Sequence, residues 1–312
     1  MSDMAVKRAV VTGATGMIGV ALVNELAANG CEVVALVRPG SEHAARLGHG
    51  AGNAVKVVEC GLEKLDRFDA NVGRCDVFYH LGWSGTSPEQ RRSPAAQERN
   101  IGYTLEAVRL AERLGCRRFV GSGSQAEYGS GGLLSPDSPT APSSAYGVAK
   151  YAAGALARLE CASRGMDCLW VRIFSVYGRY DLPGTMISTA LDALENGRKP
   201  SFTPAVQLWD YLECGDAARA LRLVGQSARA CGQKVYCLGS GEARPLREYI
   251  EQLRDIVSPG APLGIGELGY AGGGAPLSLC ADISALTADT GFLPEVSFAE
   301  GIRRLAAWRR QK

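Results

Sequence analysis

Residues 7–38, KRAVVTGATGMIGVALVNELAANGCEVVALVR, restrict the fold more than any other stretch of the 312-residue chain. An apolar run stops on Gly13, a helical stretch runs from Met17 to a stop at Gly30, and a second apolar run follows. Strand, three-glycine turn, helix and strand together describe two parallel strands with the helix packed across them. The alternation then repeats. AVKVVEC and CDVFYHLG read as a third and a fourth buried strand, and PAAQERNIGYTLEAVRLAERLG as a helix closing on Gly115. CRRFVGSGS reads as a fifth strand, SAYGVAKYAAGALARLECASRG as an alanine-rich helix, and MDCLWVRIFSVYG as a sixth strand. Such near-continuous apolar strands belong to a sheet covered on both faces. The expected class is α/β, a doubly wound parallel sheet with a smaller C-terminal region.

Beyond residue 178 the pattern loosens into stretches rich in glycine and proline, such as GRYDLPG and GRKPSFTPAVQLWDY, with helices between them. The expected division gives residues 1–177 to a dinucleotide-binding domain, with returns near 206–238 and 278–286. Residues 178–205, 239–277 and 287–312 are then the substrate-binding region. A net charge of +2 gives no electrostatic case for nucleic acid or an anionic membrane. No apolar stretch is long enough to span a bilayer, and the N-terminus runs straight into a strand without a cleavable leader, so a cytoplasmic enzyme is expected. Ten cysteines form no C-x-x-C pair and have only three histidines to join them, so free buried thiols are expected and a metal site is not.

The glycine-rich turn carries the first chemistry. Gly13, Gly16 and Gly19, with Thr15, Met17 and Ile18, stand where a strand passes into a helix. Glycines there let the backbone approach a pyrophosphate, and the helix start offers free N–H groups. An acid at the tip of the second strand would read the ribose of NAD. This chain has Arg38 and no acid, and a guanidinium suits a 2′-phosphate, so NADP(H) is favoured, with NAD(H) as the alternative. Tyr146 and Lys150 are four apart on one helix and so share a face. A tyrosine moves protons near neutrality only if its pKa falls, which a neighbouring ammonium promotes. Ser124, at the end of the fifth strand, supplies a hydroxyl that could hold one carbonyl oxygen together with Tyr146.

TGATGMIG, FYHLG, Asn100 within RNIGYTLEAVRLAERLG, GSGSQAEYG, YGVAK and VRIFSVYG, in this order, resemble the extended short-chain dehydrogenases/reductases, and within them the nucleotide-sugar epimerase/dehydratase/reductase family. The resemblance continues through QLWDYLECGDAARAL and ADISALTADTGFLPEVSFAEGIRRL and spans nearly the whole chain. It implies a modified Rossmann sheet, a nicotinamide coenzyme and a nucleotide-sugar substrate. It makes Ser124, Tyr146 and Lys150 the catalytic residues, with Lys150 both lowering the Tyr146 pKa and binding the nicotinamide ribose. It places Leu81, Gly82, Trp83 and Asn100 beside the coenzyme, and Gln125, Tyr177, Thr185, Gln207 and Trp209 beside the sugar nucleotide. It also implies a homodimer formed through a four-helix bundle of the helices bearing Asn100 and Tyr146.

Departures from the family pattern matter as much. The family's 4,6-dehydratases have Thr-Asp-Glu where this chain has Ser124, Gln125 and Ala126, so the acid and base of water elimination are missing. Gly61 replaces an aspartate that often meets adenine, and Ser175 an asparagine that often meets the sugar diphosphate. Trp209 of WDY stands where arginine is common, as in reductases of 4-keto-deoxysugars. The expected activity is NADPH-dependent reduction of a nucleotide-linked 4-keto-deoxysugar, with Tyr146 as general acid. An NAD-dependent nucleotide-sugar C4-epimerase, a reductase of another carbonyl, and a non-catalytic NADP-sensing protein are the alternatives.

Overall fold

The computed structural model describes residues 3–48, 54–69, 71–270 and 277–311. Seven parallel strands form the central sheet: β1 (Arg8–Thr12), β2 (Glu32–Val37), β3 (Val55–Glu59), β4 (Val77–His80), β5 (Arg118–Ser124), β6 (Asp167–Ile173) and β7 (Gln233–Leu238). Their spatial order is β7-β6-β5-β4-β1-β2-β3. The chain therefore winds outward in two directions from β1 and β4. The carboxyl ends of those two strands flank the crevice in which open α/β sheets bind ligands.

Alternation along the strands fills a core on each side. Val11, Ala9, Val33, Ala35 and Val37 pack into one apolar cluster, while Val10, Val34 and Leu36 pack into another. Helix α1 (Met17–Ala28) lies with α5 (Cys214–Gln226) on the first side. Helices α2 (Pro94–Arg113) and α3 (Ala145–Ser163) pack together on the second. Helix α1 stops where the sequence indicates: Gly30 has φ +77°, a conformation that costs glycine little.

Two strand readings need correction. The third strand is the outermost of the sheet and half solvated, with Lys56, Val57 and Glu59 exposed, because it has a neighbour on one side only. The apolar run 166–178 is not one strand. After Ile173 the chain leaves the sheet, and Ser175–Tyr177 pairs instead with Tyr211–Glu213. Strand β7 lies beside β6, so the amide of Phe174 donates to the Leu238 carbonyl at 2.9 Å as the chain departs.

The C-terminal half returns to the sheet with α5 and β7. It also builds its own core from α4 (Met186–Glu195), α6 (Leu246–Val257) and α8 (Phe298–Arg309). A short helix, α7 (Ser284–Thr290), packs on α5 and β7. Asp210, 1% exposed, ties these pieces together. Its carboxylate accepts from the Ser240 amide (2.6 Å) and hydroxyl (2.7 Å), the Gly241 amide (3.2 Å) and the Ala281 amide (3.0 Å). The aspartate of WDY is thus a knot between three segments rather than a ligand group. All ten cysteines are free thiols, seven of them buried. No helix among the described residues is long and apolar enough to cross a membrane.

Candidate active site

The unusual GSGS ending of β5 makes room for a tryptophan. A Cβ on Gly121 or Gly123 would strike the Trp170 ring of the neighbouring β6, and one on Gly154 of α3 would come within 2.5 Å of it. The Trp170 indole N–H donates to Glu127 Oε1 at 3.0 Å. The same oxygen accepts the Ser124 amide at 2.8 Å, while Oε2 pairs with Arg172 Nε at 2.8 Å. Glu127 and Arg172 are 1% and 5% exposed at the side chain. A buried, fully partnered carboxylate therefore fixes the backbone of Ser124. The Ser124 oxygen accepts the Ala126 amide at 3.2 Å, which leaves its proton to donate. Sequence reading missed Glu127, Trp170 and Arg172. The period-two glycines were the available sign that a large neighbour lies over that strand.

Tyr146 reaches Ser124 because the first turn of α3 sits close to the turn after β5. A Cβ at Gly147 would collide with the Ala126 carbonyl, which accounts for the glycine in YGVAK. The Tyr146 phenol stands close enough to Ser124 for that side chain to act on its ionisation. Burial pushes the phenol's pKa up, against the Arg91 guanidinium and the Ser124 side chain, which pull it down. Lys150, 3% exposed, donates to the Ser122 carbonyl at 2.7 Å and reaches the Ser122 hydroxyl at 3.3 Å. Burial drags its pKa to about 7, with Glu127 opposing that shift.

Trp83 is placed in an unanticipated way. Its indole covers the Lys150 ammonium, with Nζ 3.8 Å from the ring centroid, and meets the Tyr146 ring edge-on at 6.0 Å. The indole N–H donates to Gln97 Oε1 at 2.8 Å. Gln97 in turn donates to the carbonyls of Gly85 (2.7 Å) and Gln90 (3.0 Å), which pins the segment before α2. The Trp83 indole therefore covers one side of the Lys150 ammonium. Asn100, 1% exposed, is bonded to the same segment. Its carboxamide oxygen accepts the Ser84 amide at 2.8 Å and its nitrogen donates to the Ser84 carbonyl at 3.0 Å.

The glycine-rich turn abuts the end of β4. Gly13 has φ +68°, and a Cβ there would lie 2.6 Å from the Gly82 nitrogen and the Leu81 carbonyl carbon, so only glycine fits. Gly16 is exposed, and the first turn of α1 has no side-chain cap, which leaves the N–H groups around Met17 and Ile18 facing the crevice end. This cradle suits a pyrophosphate. Arg46, which the sequence did not single out, donates to the Thr15 carbonyl at 2.9 Å. Arg38 is exposed at the tip of β2 and forms no ion pair among the described residues. At Gly61 the Glu63 carboxylate folds into the space a side chain would take.

His80, at the end of β4, joins the two halves of the crevice floor. Thr104 gives its proton to the Asn100 carbonyl (2.8 Å), so it accepts from His80 Nε2 (3.3 Å). His80 Nδ1 then accepts from Thr12 (2.9 Å), whose oxygen accepts the Gly82 amide (3.2 Å). Burial drags the imidazole pKa to about 3, which fixes it neutral.

The residues expected near a substrate divide. Gln125 and Gln207 each present a buried side-chain oxygen with no hydrogen-bond partner among the described residues. Thr185 caps α4, accepting the Ser188 amide at 3.2 Å and donating to Asp181 at 2.8 Å. Trp209 packs partly buried between two apolar clusters. Tyr177 stands apart from the others. It is 1% exposed in the C-terminal core, and its hydroxyl donates to the Phe298 carbonyl at 3.3 Å.

Known proteins share this fold. The sequence profile of the NAD dependent epimerase/dehydratase family matches residues 9–239. A dTDP-glucose 4,6-dehydratase of Streptomyces niveus is 29% identical over 214 residues, 68% of this chain and 62% of that protein. A UDP-glucose 4-epimerase of Mycolicibacterium smegmatis is 28% identical over 320 residues, 98% of this chain and 99% of that protein. Among solved structures, MoeE5 in complex with UDP-glucose and NAD superposes with a TM-score of 0.81 at 27% identity, covering 97% of this chain and 99% of that one. With the family profile matched across the sheet, the glycine turn and the Ser124–Tyr146–Lys150 group, the chain belongs to the NAD-dependent epimerase/dehydratase family.

Proposed function

We propose that this chain interconverts a secondary alcohol and a ketone on the sugar ring of a nucleotide-linked sugar. The observation that carries the proposal is the gathering of the Ser124 hydroxyl, the Tyr146 phenol and the buried Lys150 ammonium at the carboxyl ends of the strands. Two hydroxyls so placed hold one substrate oxygen between them. Ser124 donates a hydrogen bond to it. Tyr146 takes its proton as the alcohol is oxidised and returns it as the ketone is reduced. Gln125 and Ala126 offer no acid or base next to the pair, which supports a reaction without loss of water. A nicotinamide dinucleotide, when bound, would supply hydride acceptance and donation. Gly13, Thr15, Gly16, Met17, Ile18 and Gly19 would hold its pyrophosphate, Leu81 and Gly82 would line its path, and Lys150 would bind its ribose.

The favoured form of this reaction is 4-epimerisation, the activity named for the Mycolicibacterium relative that aligns along almost the whole chain, with NAD, the coenzyme bound in the MoeE5 complex, as its coenzyme. Reduction of a 4-keto-deoxysugar with NADP(H) is the second reading, and the unpaired Arg38 at the tip of β2 supports it. Incubation with UDP-glucose separates the two. An epimerase forms UDP-galactose without net change in the reduced coenzyme, whereas a reductase consumes reduced coenzyme only when given a 4-keto sugar nucleotide. Loss of water from UDP- or dTDP-glucose would refute both.

Arg38 gives a direct measurement of coenzyme choice. On the reductase reading, a guanidinium on a 2′-phosphate makes NADPH bind at least about tenfold tighter than NADH, with the preference lost in Arg38→Ala; on the favoured epimerase reading no such preference is expected. Fluorescence titration of both coenzymes against both proteins is the check. Equal or tighter binding of NADH by the wild type removes the reductase reading.

The dimer expected from the family remains a proposal supported by α3. Val148, Leu156 and Leu159 lie on this helix with 50%, 42% and 69% exposure, an apolar stripe unusual for a solvated helix. Sedimentation velocity should find a dimer at micromolar concentration and a monomer in Leu159→Glu. A monomeric wild type would end this proposal.

A further inference from the structure

We infer that the exposed guanidinium of Arg91 is a specificity determinant for a carboxylate on the sugar, so that this chain prefers a nucleotide-linked uronic acid to the neutral hexose. The inference rests on the reading of a nucleotide-linked sugar that reacts at Tyr146, and it narrows the substrate class. Arg91 belongs to the turn Gln90–Arg92 that precedes α2. Its guanidinium carbon lies 4.7 Å from the centroid of the Tyr146 ring, so the charge stands beside the group that meets the reacting oxygen. Among the described residues its side chain has no hydrogen bond and no ion pair.

The surroundings leave that charge without a counter-ion. A guanidinium stays charged at every pH at which proteins fold. The Arg91 charge reaches both Tyr146 and Lys150, where it acts to lower each pKa. Glu127 is the carboxylate felt at the same two groups, and it is already paired with Arg172 at 2.8 Å. Gln125 and Ala126, next to Ser124, bring no acid to repel an incoming anion. A neutral sugar leaves this balance as it is. A carboxylate meets a fork of N–H donors and offsets the repulsion between Arg91 and Lys150.

Sugar chemistry decides where such a carboxylate lies. With the C4 oxygen held by Ser124 and Tyr146, C1 and its diphosphate lie across the ring. Of the two carbons that flank C4, C5 bears the exocyclic C6. That is the position of a hexose that can be oxidised to a carboxylate without opening the ring, and it sits beside the reacting carbon. The turn keeps its cation at that place. The Arg91 amide donates to the Ser87 carbonyl at 2.9 Å, and Gln97 donates to the Gln90 carbonyl at 3.0 Å.

Calorimetric titration with UDP-glucuronic acid, UDP-glucose and UDP is the test, made in a Tyr146→Phe background that keeps the ring under Arg91 and slows turnover. UDP-glucuronic acid should bind at least about tenfold tighter than UDP-glucose, and in Arg91→Gln that ratio should fall to within about twofold of unity. Arg91→Lys, with the charge but not the fork, should keep an intermediate ratio. Equal binding of the two sugars where Arg91 is present overturns the inference. So does a loss of UDP affinity in Arg91→Gln equal to the loss for UDP-glucuronic acid, which would make the arginine a diphosphate contact. Absence of binding by all three ligands would instead fail the reading beneath it, and the inference with it.

Discussion

Tyr146→Phe should lower turnover by about 10²–10⁴-fold while leaving coenzyme affinity within about twofold of wild type. The phenol is the group that can both touch a substrate oxygen and exchange a proton with it. Ser124, beside it, is a donor that stays neutral, and Lys150 is turned toward Ser122 and Trp83. Removing one oxygen leaves the ring in place against Trp83 and Arg91, so the loss reads chemistry and not packing. The check is a steady-state assay of sugar conversion beside a coenzyme titration on the same preparations. Turnover within about threefold of wild type would remove Tyr146 from the mechanism.

Glu127→Ala should cost about 3–5 kcal/mol of folding stability, because it leaves Arg172 buried without its counter-charge. The loss extends to the site. The Ser124 amide and the Trp170 indole N–H both lose their acceptor, so the serine is no longer held at the height of the phenol. Turnover of the folded fraction should therefore fall as well, through Ser124. Glu127→Gln separates the two effects. It keeps an oxygen for the Ser124 amide but removes the charge, so it should retain more activity than Glu127→Ala at a similar cost in stability. Denaturant unfolding and activity of both variants provide the measurement. An alanine variant as stable as wild type would show that the buried pair contributes nothing net.

Local sequence determined the frame. Apolar runs bounded by glycine fixed β1, β2, β4 and β5, and helical spacing fixed α1, α2 and α3, because these patterns depend on neighbours within a few residues. The glycine turn and the four-residue spacing of Tyr146 and Lys150 were legible for the same reason. What lay beyond reach were contacts between residues distant in sequence. No pattern pairs Glu127 with Arg172, 45 positions apart, or sets Arg91 over Tyr146. Tyr177 looks in sequence like a residue beside a ligand, yet the departure of Ser175–Tyr177 from the sheet drops it into the C-terminal core. The same strand exchange could not be read from a continuous apolar run, since a strand's partner is chosen by which edge packing leaves free. Trp83 and Arg91 sit in an irregular segment with no period to read. Their places over Lys150 and Tyr146 are decided by Gln97, which holds that segment from the side of α2. The sequence thus determined which groups can do chemistry, and the tertiary structure decided which charges and rings surround them, because charge acts through distance in space and not along the chain.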